Sequence, residues 1–585
     1  MEETGSRAGG GANRLLRQWN RLRNCGGVRG VIRKLDYKRR EHRAMRQFGT
    51  DSFPDMQRAA EERKTVFPHM VKISILVPLW NNEKEFQIAM LESVMNQTYQ
   101  NWELCLEDGS DETHSYIGEI CKDYAARSDG RIIYRHLDEN GGIAGNTNAC
   151  LALATGEYVG LLDQDDILHP SVLFEYVKAI NEQGADYLYC DETTFKGSDI
   201  NHMLTMHFKP DYAPDNLRAN NYICHFSVFR RKLLEEEVLF RPEYDGSQDH
   251  DMILRLTDRA EKVVHVPKLL YYWRSHSGSV ASGIEAKPYA IDAAKRAVAW
   301  NLEKHGLEHF EIESTRAYET IFRIRYEILG MPKISVVIIN AGTPEELQRC
   351  RASVTEMSSY GNYEIIVGDE GLAAASYPGQ MNLGARRAEG EYLIFLDSRS
   401  EILTADWMEE LLMYAQREDV GAVGAKLYNP DDTICHAGLV LGLGAERTAG
   451  RIFDGQHRRS LGYMGRLCYA QDISAVSGAC LMVKRERFVA AGGFDESFAN
   501  SLYDADFCLK LRERGYLNIF TPFAELYFRG TEYSAENADP GEQEQLAGEA
   551  ARFRERWADI LAAGDPYYNL NFSLDRNDCS LKITQ

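Results

Sequence analysis

Apolar and polar positions alternate in blocks along residues 72–182. Lys72-Ile73-Ser74-Ile75-Leu76-Val77-Pro78 is a short β-branched run closed by proline and predicts a buried strand. A helical pattern covers residues 83–96. Trp102-Glu103-Leu104-Cys105-Leu106-Glu107-Asp108-Gly109-Ser110 predicts a second strand ending in an acidic turn. A helix over 115–127, a strand over 131–136, a glycine-rich loop at 140–146 and a helix over 147–154 follow. Tyr158-Val159-Gly160 then runs into Leu161-Leu162-Asp163-Gln164-Asp165-Asp166, ahead of a helical segment at 170–182. This βαβα alternation predicts an α/β fold with a mostly parallel sheet, whose ligands bind at the carboxyl ends of the strands. Asp108 and the acidic group 163–166 both sit at such ends.

The pattern repeats. Lys333-Ile334-Ser335-Val336-Val337 echoes residues 72–76, and Ser359-Tyr360-Gly361-Asn362-Tyr363-Glu364 echoes 98–103, which places Asp369 opposite Asp108. Gly390-Glu391-Tyr392-Leu393-Ile394-Phe395-Leu396-Asp397 echoes 156–163, and Asp504-Ala505-Asp506 echoes Asp249-His250-Asp251. At that last offset Arg529 falls opposite Arg274. The expected organisation is a basic N-terminal arm (1–70), a first domain (71–330), a second of the same fold (331–535) and a C-terminal helix and tail (536–585). Leu546, Phe553, Trp557 and Ile560 give the tail helix an apolar face.

Composition narrows the function classes. With 44% hydrophobic and 26% charged residues the 585-residue chain is globular, long enough for two to four domains. It has no run of about 18 apolar residues, and its acidic start, Met1-Glu2-Glu3, without an apolar segment leads to the expectation of no secretory signal. The twelve cysteines are scattered without CxxC pairs, as expected for reduced thiols. A net charge of −21 argues against nucleic acid. Residues 14–46 differ, with twelve Lys/Arg against two acids, interleaved with Leu15, Trp19, Leu22, Ile32 and Leu35. Two readings stand: a basic amphipathic helix for peripheral membrane contact, or a solvated helix packed on the body.

Several carboxylates at the end of a buried strand repel one another and persist where a cation compensates them. Asp163–Asp166 is therefore a candidate Mn²⁺ or Mg²⁺ site, since both ions favour hard oxygen ligands shared with phosphate; the bland alternative is a solvated turn. Asp249 precedes the apolar-periodic Met252, Ile253 and Leu256, and is either a helix N-cap or free to face a cleft. Arg274 is a phosphate fork or an ion-pair partner, and His276 a ligand or an ordinary loop histidine. The 140–146 loop is not a dinucleotide fingerprint, because no GxGxxG follows the first strand.

Ile75-Leu76-Val77-Pro78, Glu107-Asp108-Gly109-Ser110-Asp111, Leu162-Asp163-Gln164-Asp165-Asp166, Gln248-Asp249-His250-Asp251 and Tyr272-Trp273-Arg274-Ser275-His276 together resemble the family 2 glycosyltransferases of GT-A fold. The resemblance is to bacterial tandem-domain members that build cell-surface polysaccharides, and it covers about residues 70–575. It implies two tandem GT-A (Rossmann-like) domains. By position, Pro78, Asn81 and Asp108 would line the nucleotide pocket, and Asp163 would contact the ribose or metal side. Asp165 would bind the metal, His276 would reach the diphosphate or metal, and Asp249 would be the general base. It also implies an inverting transfer from a nucleotide sugar, of hexosyl or rhamnosyl type, to a lipid-linked glycan at the cytoplasmic membrane face.

The second copy departs from this pattern. Arg399 stands opposite Asp165, Thr531 opposite His276, and Asn340 follows its first strand. The stretch between Asp369 and Asp397 is about 27 residues shorter than its counterpart. A cation in place of a ligand repels a metal, so the second domain is expected to be degenerate. The competing readings are a nucleotidyltransferase, which lacks the required basic phosphate loop at Trp80-Asn81-Asn82-Glu83, and a non-catalytic glycan-binding scaffold.

Overall fold

The structure, a computed structural model, describes residues 27–235, 238–276, 288–367, 376–530 and 539–582. Two compact units emerge, one of residues 43–308, the other of residues 309–585 with 1–42.

In the first unit the strands are β1 (Ile73–Leu79), β2 (Trp102–Asp108), β3 (Ile132–His136), β4 (Tyr158–Leu161), β5 (Ile167–Leu168), β6 (Tyr187–Lys196), β7 (Met203–His207), β8 (Val228–Arg230) and β9 (Val263–Ser275). They form one sheet in the order β3-β2-β1-β4-β8-β6-β9-β5, with β7 beside β6. The half built from the βαβα stretch is parallel, Ile73 lying opposite both Trp102 and Tyr158. The far half is mixed: β8 is antiparallel to β4 and β6, β9 is parallel to β6, and β5 is antiparallel to β9. Ile75, Leu76 and Val77 are fully buried, as a strand covered on both faces requires. Because β1, β2, β4 and β9 run the same way, their carboxyl ends share one edge of the sheet.

The second unit opens with a hairpin, β10 (Phe310–Ser314) and β11 (Phe322–Tyr326). Its main strands are β12 (Ile334–Ile339), β13 (Tyr363–Val367), β14 (Tyr392–Asp397), β15 (Ser400–Ile402) and β16 (Val420–Tyr428). They are followed by β17 (Ile434–His436), β18 (Leu439–Leu441), β19 (Ala449–Arg451), β20 (Gln471–Ile473), β21 (Cys480–Lys484) and β22 (Leu517–Phe528). The sheet order β13-β12-β14-β21-β16-β22-β15 repeats that of the first unit, without a counterpart of β3 among the described residues.

The repeat holds atom by atom. The Ser74 hydroxyl donates to Glu103 at 2.6 Å and the Ser335 hydroxyl to Glu364 at 2.6 Å. Gly156 N–H reaches Ser74 Oγ at 2.8 Å, and Gly390 N–H reaches Ser335 Oγ at 2.8 Å. Tyr99 and Tyr360 each donate to the carbonyl before the first strand at 2.7 Å. Burial opposes ionisation of Glu103, but Lys72, Ser74 and Thr155 outweigh it and pull its pKa to about 2. Glu364 falls to about 2 through the matching Ser335, Glu389 and Lys333 contacts, again against burial.

Several boundaries differ from those expected. The division falls after Glu308 rather than at 330, because the β10–β11 hairpin packs with the second unit: Arg323 on β11 pairs with Glu410 at 2.5 Å. The N-terminal residues are not one separate arm. Arg33 hydrogen-bonds to the Gly455 carbonyl and Asp36 lies 3.3 Å from Arg576, both in the second unit. The Thr98 hydroxyl, by contrast, donates to Glu62 at 2.7 Å within the first. Residues 14–26 of the basic stretch lie outside the described residues. The tail belongs to the second unit, with Asp565 accepting from Leu441 N–H at 2.7 Å, and its helix breaks at Trp557 into Pro540–Arg556 and Ala558–Ala563. The helix expected at 147–154 starts earlier, as Gly142–Leu153, so most of the glycine-rich loop is its first turn. No described helix is long and apolar enough to cross a membrane, and every described cysteine is free.

Candidate functional site

The carboxyl edge of the first sheet gathers the acidic residues. After β4 the chain makes a tight loop, closed by the Asp166 N–H to Asp163 carbonyl bond at 3.2 Å. Its three carboxylates take different environments. Asp166 is fully buried and satisfied: Tyr271 O–H donates to it at 2.6 Å and Arg274 N–H at 2.7 Å. Asp163 is open, its side chain 53% exposed, with Oδ2 3.7 Å from His225 Nε2. Asp165 lies between these extremes, and its Oδ2 sits 2.8 Å from His276 Nε2 at the end of β9. Burial, then the charge of Asp163, raises the pKa of Asp165; burial, then Asp165, raises that of Asp166 well above the ordinary range. Burial first and like charge second therefore disfavour the ionised forms of both carboxylates.

Asp165 and His276 thus bring a carboxylate oxygen and an imidazole nitrogen to one point, with open Asp163 on the same loop. This oxygen-rich donor set fits Mn²⁺ or Mg²⁺. Among the described residues, the sets of three or more whose ligand atoms all lie within 4.8 Å of one another are Asp163, Asp166 and His225, and Glu192, Cys224 and His225, neither of which includes the Asp165–His276 pair; Asp166 is moreover already committed to Tyr271 and Arg274.

Arg274 departs from the phosphate-fork reading. It is 1% exposed, lies between the rings of Phe86 (4.3 Å) and Phe195 (4.7 Å), and donates Nε to the Asp165 carbonyl at 2.7 Å. Another guanidinium nitrogen donates to the Gly197 carbonyl. Its role here is to hold the acidic loop from behind. Asp108 is 2% exposed, with one oxygen accepting from Ser110 N–H at 2.9 Å and the other from Tyr134 O–H at 2.8 Å, so its carboxylate shapes the β2 loop. Pro78 is half-buried near the end of β1. Asn81, with φ +44°, pairs with the same loop, donating N–H to Ser110 Oγ at 2.9 Å and Nδ2–H to Asp111 at 2.9 Å. Gln164 closes the third side through reciprocal bonds to the Trp80 backbone at 2.8 and 3.0 Å.

Asp249 lies in the first turn of helix Gln248–Thr257, but no side chain caps that helix. Its Oδ2 accepts from Asn221 Nδ2 at 2.9 Å and lies 3.9 Å from Cys224 Sγ. Among the described residues its Oδ1 accepts no side-chain hydrogen bond. Asp251, two residues on, is fully buried against Arg241 and Arg255, the latter at 3.0 Å. The two aspartates therefore divide into an open one and a structural one.

Sequence reasoning missed His225, Glu192, Lys209 and Tyr271. The His225 ring stacks on Tyr271 at 4.7 Å, and its Nδ1 lies 3.3 Å from Glu192, which also pairs with buried Lys209 at 2.9 Å and with His207 at 3.3 Å. Burial opposes the charged form of His225, but Cys224, Asp163 and Glu192 raise its pKa well above the ordinary value. These residues link the Asp249 side of the cleft to Asp163. No spacing pattern in the chain announces them, since β6, β7 and the segment before β8 meet only through the sheet.

In the second unit Asp397 ends β14, and Arg399 closes on it: Nε donates at 2.9 Å and a terminal nitrogen at 2.6 Å, while Tyr377 O–H takes the second oxygen at 2.8 Å. A guanidinium stands at the position that Asp165 holds in the first unit. Arg529 pairs with Glu401 at 2.7 Å. Asp369 and Thr531 lie outside the described residues.

Residues 74–238 match the family model of glycosyl transferase family 2. The match ends before Asp249, Arg274 and His276. Over 86% of its length the chain is 34% identical to the uncharacterized protein y4gI of Sinorhizobium fredii. Over 90% it is 30% identical to the O-antigen biosynthesis protein RfbC of Myxococcus xanthus. It spans 58% and 42% of those two proteins, about half of their length. Among solved structures, S. aureus TarS 1-349 in complex with UDP-GlcNAc superposes loosely, with a TM-score of 0.33 at 21% identity over 40% of this chain and 66% of that one. Both units have an α/β architecture built on one sheet with a parallel half, and the domain matched at residues 74–238 of the first is a glycosyl transferase family 2 domain.

Proposed function

We propose that the first unit transfers a sugar from a nucleoside-diphosphate sugar to a hydroxyl of a growing bacterial surface glycan, with inversion at the anomeric carbon. The observation that carries this is the closure of Asp165 on His276 across the carboxyl edge of the sheet, beside open Asp163. The description of the Myxococcus xanthus relative as an O-antigen biosynthesis protein supports the glycan class.

Asp163, Asp165 and His276 would hold a divalent cation, which supplies charge neutralisation for the diphosphate. The protein's own residues do the rest. Asn81 and the Asp108 loop wall the nucleotide side. Arg274 and Tyr271 fix the acidic loop, so its carboxylates need not reorganise when the donor binds. Asp249, held through Oδ2 by Asn221, would present Oδ1 to the acceptor. As the acceptor oxygen bonds to the anomeric carbon and the bond to the diphosphate oxygen breaks, Asp249 takes the hydroxyl proton.

The glycan-scaffold reading predicts no turnover. A screen of UDP-, dTDP- and GDP-sugars with Mn²⁺, read by thermal shift and by release of nucleoside diphosphate, decides between the two. One donor should raise the unfolding temperature and be consumed; consumption of none sinks the transferase reading.

The helix Gly27–Met45 exposes Ile32 and Leu35 beside Lys34, Lys38 and Arg39. On an otherwise acidic chain this combination suits an anionic lipid surface. Co-sedimentation with phosphatidylglycerol vesicles, but not with phosphatidylcholine ones, is the expected result for peripheral attachment, and equal absence from both pellets contradicts it.

A further inference from the structure

The second unit keeps a cavity of about 300 Å³ at the carboxyl edge of its sheet, the position at which the first unit gathers its carboxylates. Asp397 and Arg399 form one wall and Asp504 another. Asp504 accepts from Gly478 N–H at 2.9 Å and from Ala505 N–H at 2.8 Å. Two close approaches shape the space. A Cβ on Gly530 would come within 2.7 Å of the Arg399 guanidinium, and one on Gly478 within 2.6 Å of the Tyr503 ring.

The charges of this cavity do not suit a diphosphate. Its carboxylates, Asp397, Glu446 and Asp504, outnumber its two guanidiniums, Arg399 and Arg451. Arg399 is turned into Asp397 through two nitrogens, and Arg451 donates to the Cys435 carbonyl at 3.1 Å. Neither offers the open fork that grips phosphate oxygens. A divalent cation is disfavoured too, since Arg399 occupies the ligand position and repels it.

What the cavity does offer is carboxylate and side-chain amide groups: Glu446, one oxygen of which pairs with Arg554 at 3.2 Å, Asp504, each of whose oxygens accepts one backbone N–H and keeps a further acceptor position, and Asn500, set among the rings of Tyr377, Tyr503 and Phe528. Carboxylates accept from neutral hydroxyls with charge-assisted strength, and aromatic faces cover apolar C–H surface. Both needs are met by a sugar ring, which has hydroxyls on its rim and C–H groups on its faces. The volume lies at the small end of ligand cavities, roughly 300–1,000 Å³, and suits one or two sugar units.

We propose that this cavity is a cation-independent binding site for uncharged carbohydrate, so that the degenerate copy holds glycan instead of nucleotide sugar. The assignment does not depend on the transfer activity of the first unit.

The test is saturation-transfer NMR on the full chain in EDTA, with methyl glycosides of glucose, galactose, mannose, rhamnose and N-acetylglucosamine, and UDP as the charged control. At least one glycoside should bind with a dissociation constant on the order of millimolar, typical of a few unassisted polar contacts, equally in wild type and Asp165→Ala. Leu546→Trp, which fills the mouth, and Glu446→Gln, which keeps shape and removes charge, should each weaken binding at least about tenfold. If Leu546→Trp does not fold by circular dichroism, Glu446→Gln and Asn500→Leu carry the comparison. Binding of no glycoside overturns the proposal. So does binding lost in Asp165→Ala but kept in the cavity variants, or UDP competing with the glycoside in EDTA.

Discussion

His276 Nε2 lies 2.8 Å from Asp165 Oδ2 although the two residues are 111 positions apart in the chain. The contact exists because β9 runs parallel to β6 and returns its end to the edge where β4 ends.

If that pair holds the cation, Asp165→Ala and His276→Ala should each lower kcat/KM by at least about 10²-fold, the scale of removing one preorganised electrostatic group. Arg529→Ala, which removes only a surface pair with Glu401 in the second unit, should leave transfer within about twofold. Steady-state kinetics with Mn²⁺ varied checks all three, and equal losses in Asp165→Ala and Arg529→Ala contradict a single working site.

Asp249 and Asp251 should separate function from stability. Asp249→Asn removes a base from an open carboxylate and should lower kcat with little change in the unfolding temperature. Asp251→Asn breaks a fully buried pair with Arg241 and Arg255 and should cost about 3–5 kcal/mol. Urea unfolding beside kinetics reads both. A stable Asp251→Asn or an active Asp249→Asn reverses the assignment.

Arg274→Met keeps apolar volume between Phe86 and Phe195 but leaves the Asp165 and Gly197 carbonyls unpaired. The expected outcome is a lower unfolding temperature and a higher Mn²⁺ requirement. A variant with unchanged stability and only a raised KM for nucleotide sugar would restore Arg274 as a phosphate ligand.

The two lowered glutamates give an acid-stability prediction. Glu103 and Glu364 titrate at about 2 in the fold against an ordinary 4.5. The fold therefore favours their ionised forms. Their contribution is full above about pH 4.5 and is lost as pH falls towards 2, on the order of 2 kcal/mol for each. Urea midpoints at pH 7 and pH 3 should fall further in wild type than in Glu364→Gln.

Much of the fold was legible in the chain because β1 and β4 are mainly apolar runs, β2 sets apolar residues between Glu103 and Glu107, and all three patterns occur twice. The mixed half of the sheet was not, since β5 and β8 have two and three residues and take their places only by pairing. Asp163 and Asp165 could be singled out by their position after a strand, and His276 only through the family resemblance. His225 could not, because its significance comes from the Tyr271 ring it stacks on and from Glu192, both distant in sequence. The inward placement of the Arg274 guanidinium between two phenylalanines was not legible for the same reason.

The most direct test of the central claim is the stoichiometry of Mn²⁺ on the full chain, measured by electron paramagnetic resonance titration with UDP present. One ion per chain is expected in wild type and none in Asp165→Ala, because the first unit supplies the carboxylate–imidazole pair and the second places Arg399 there. Two ions per chain, or one that persists in Asp165→Ala, would contradict it.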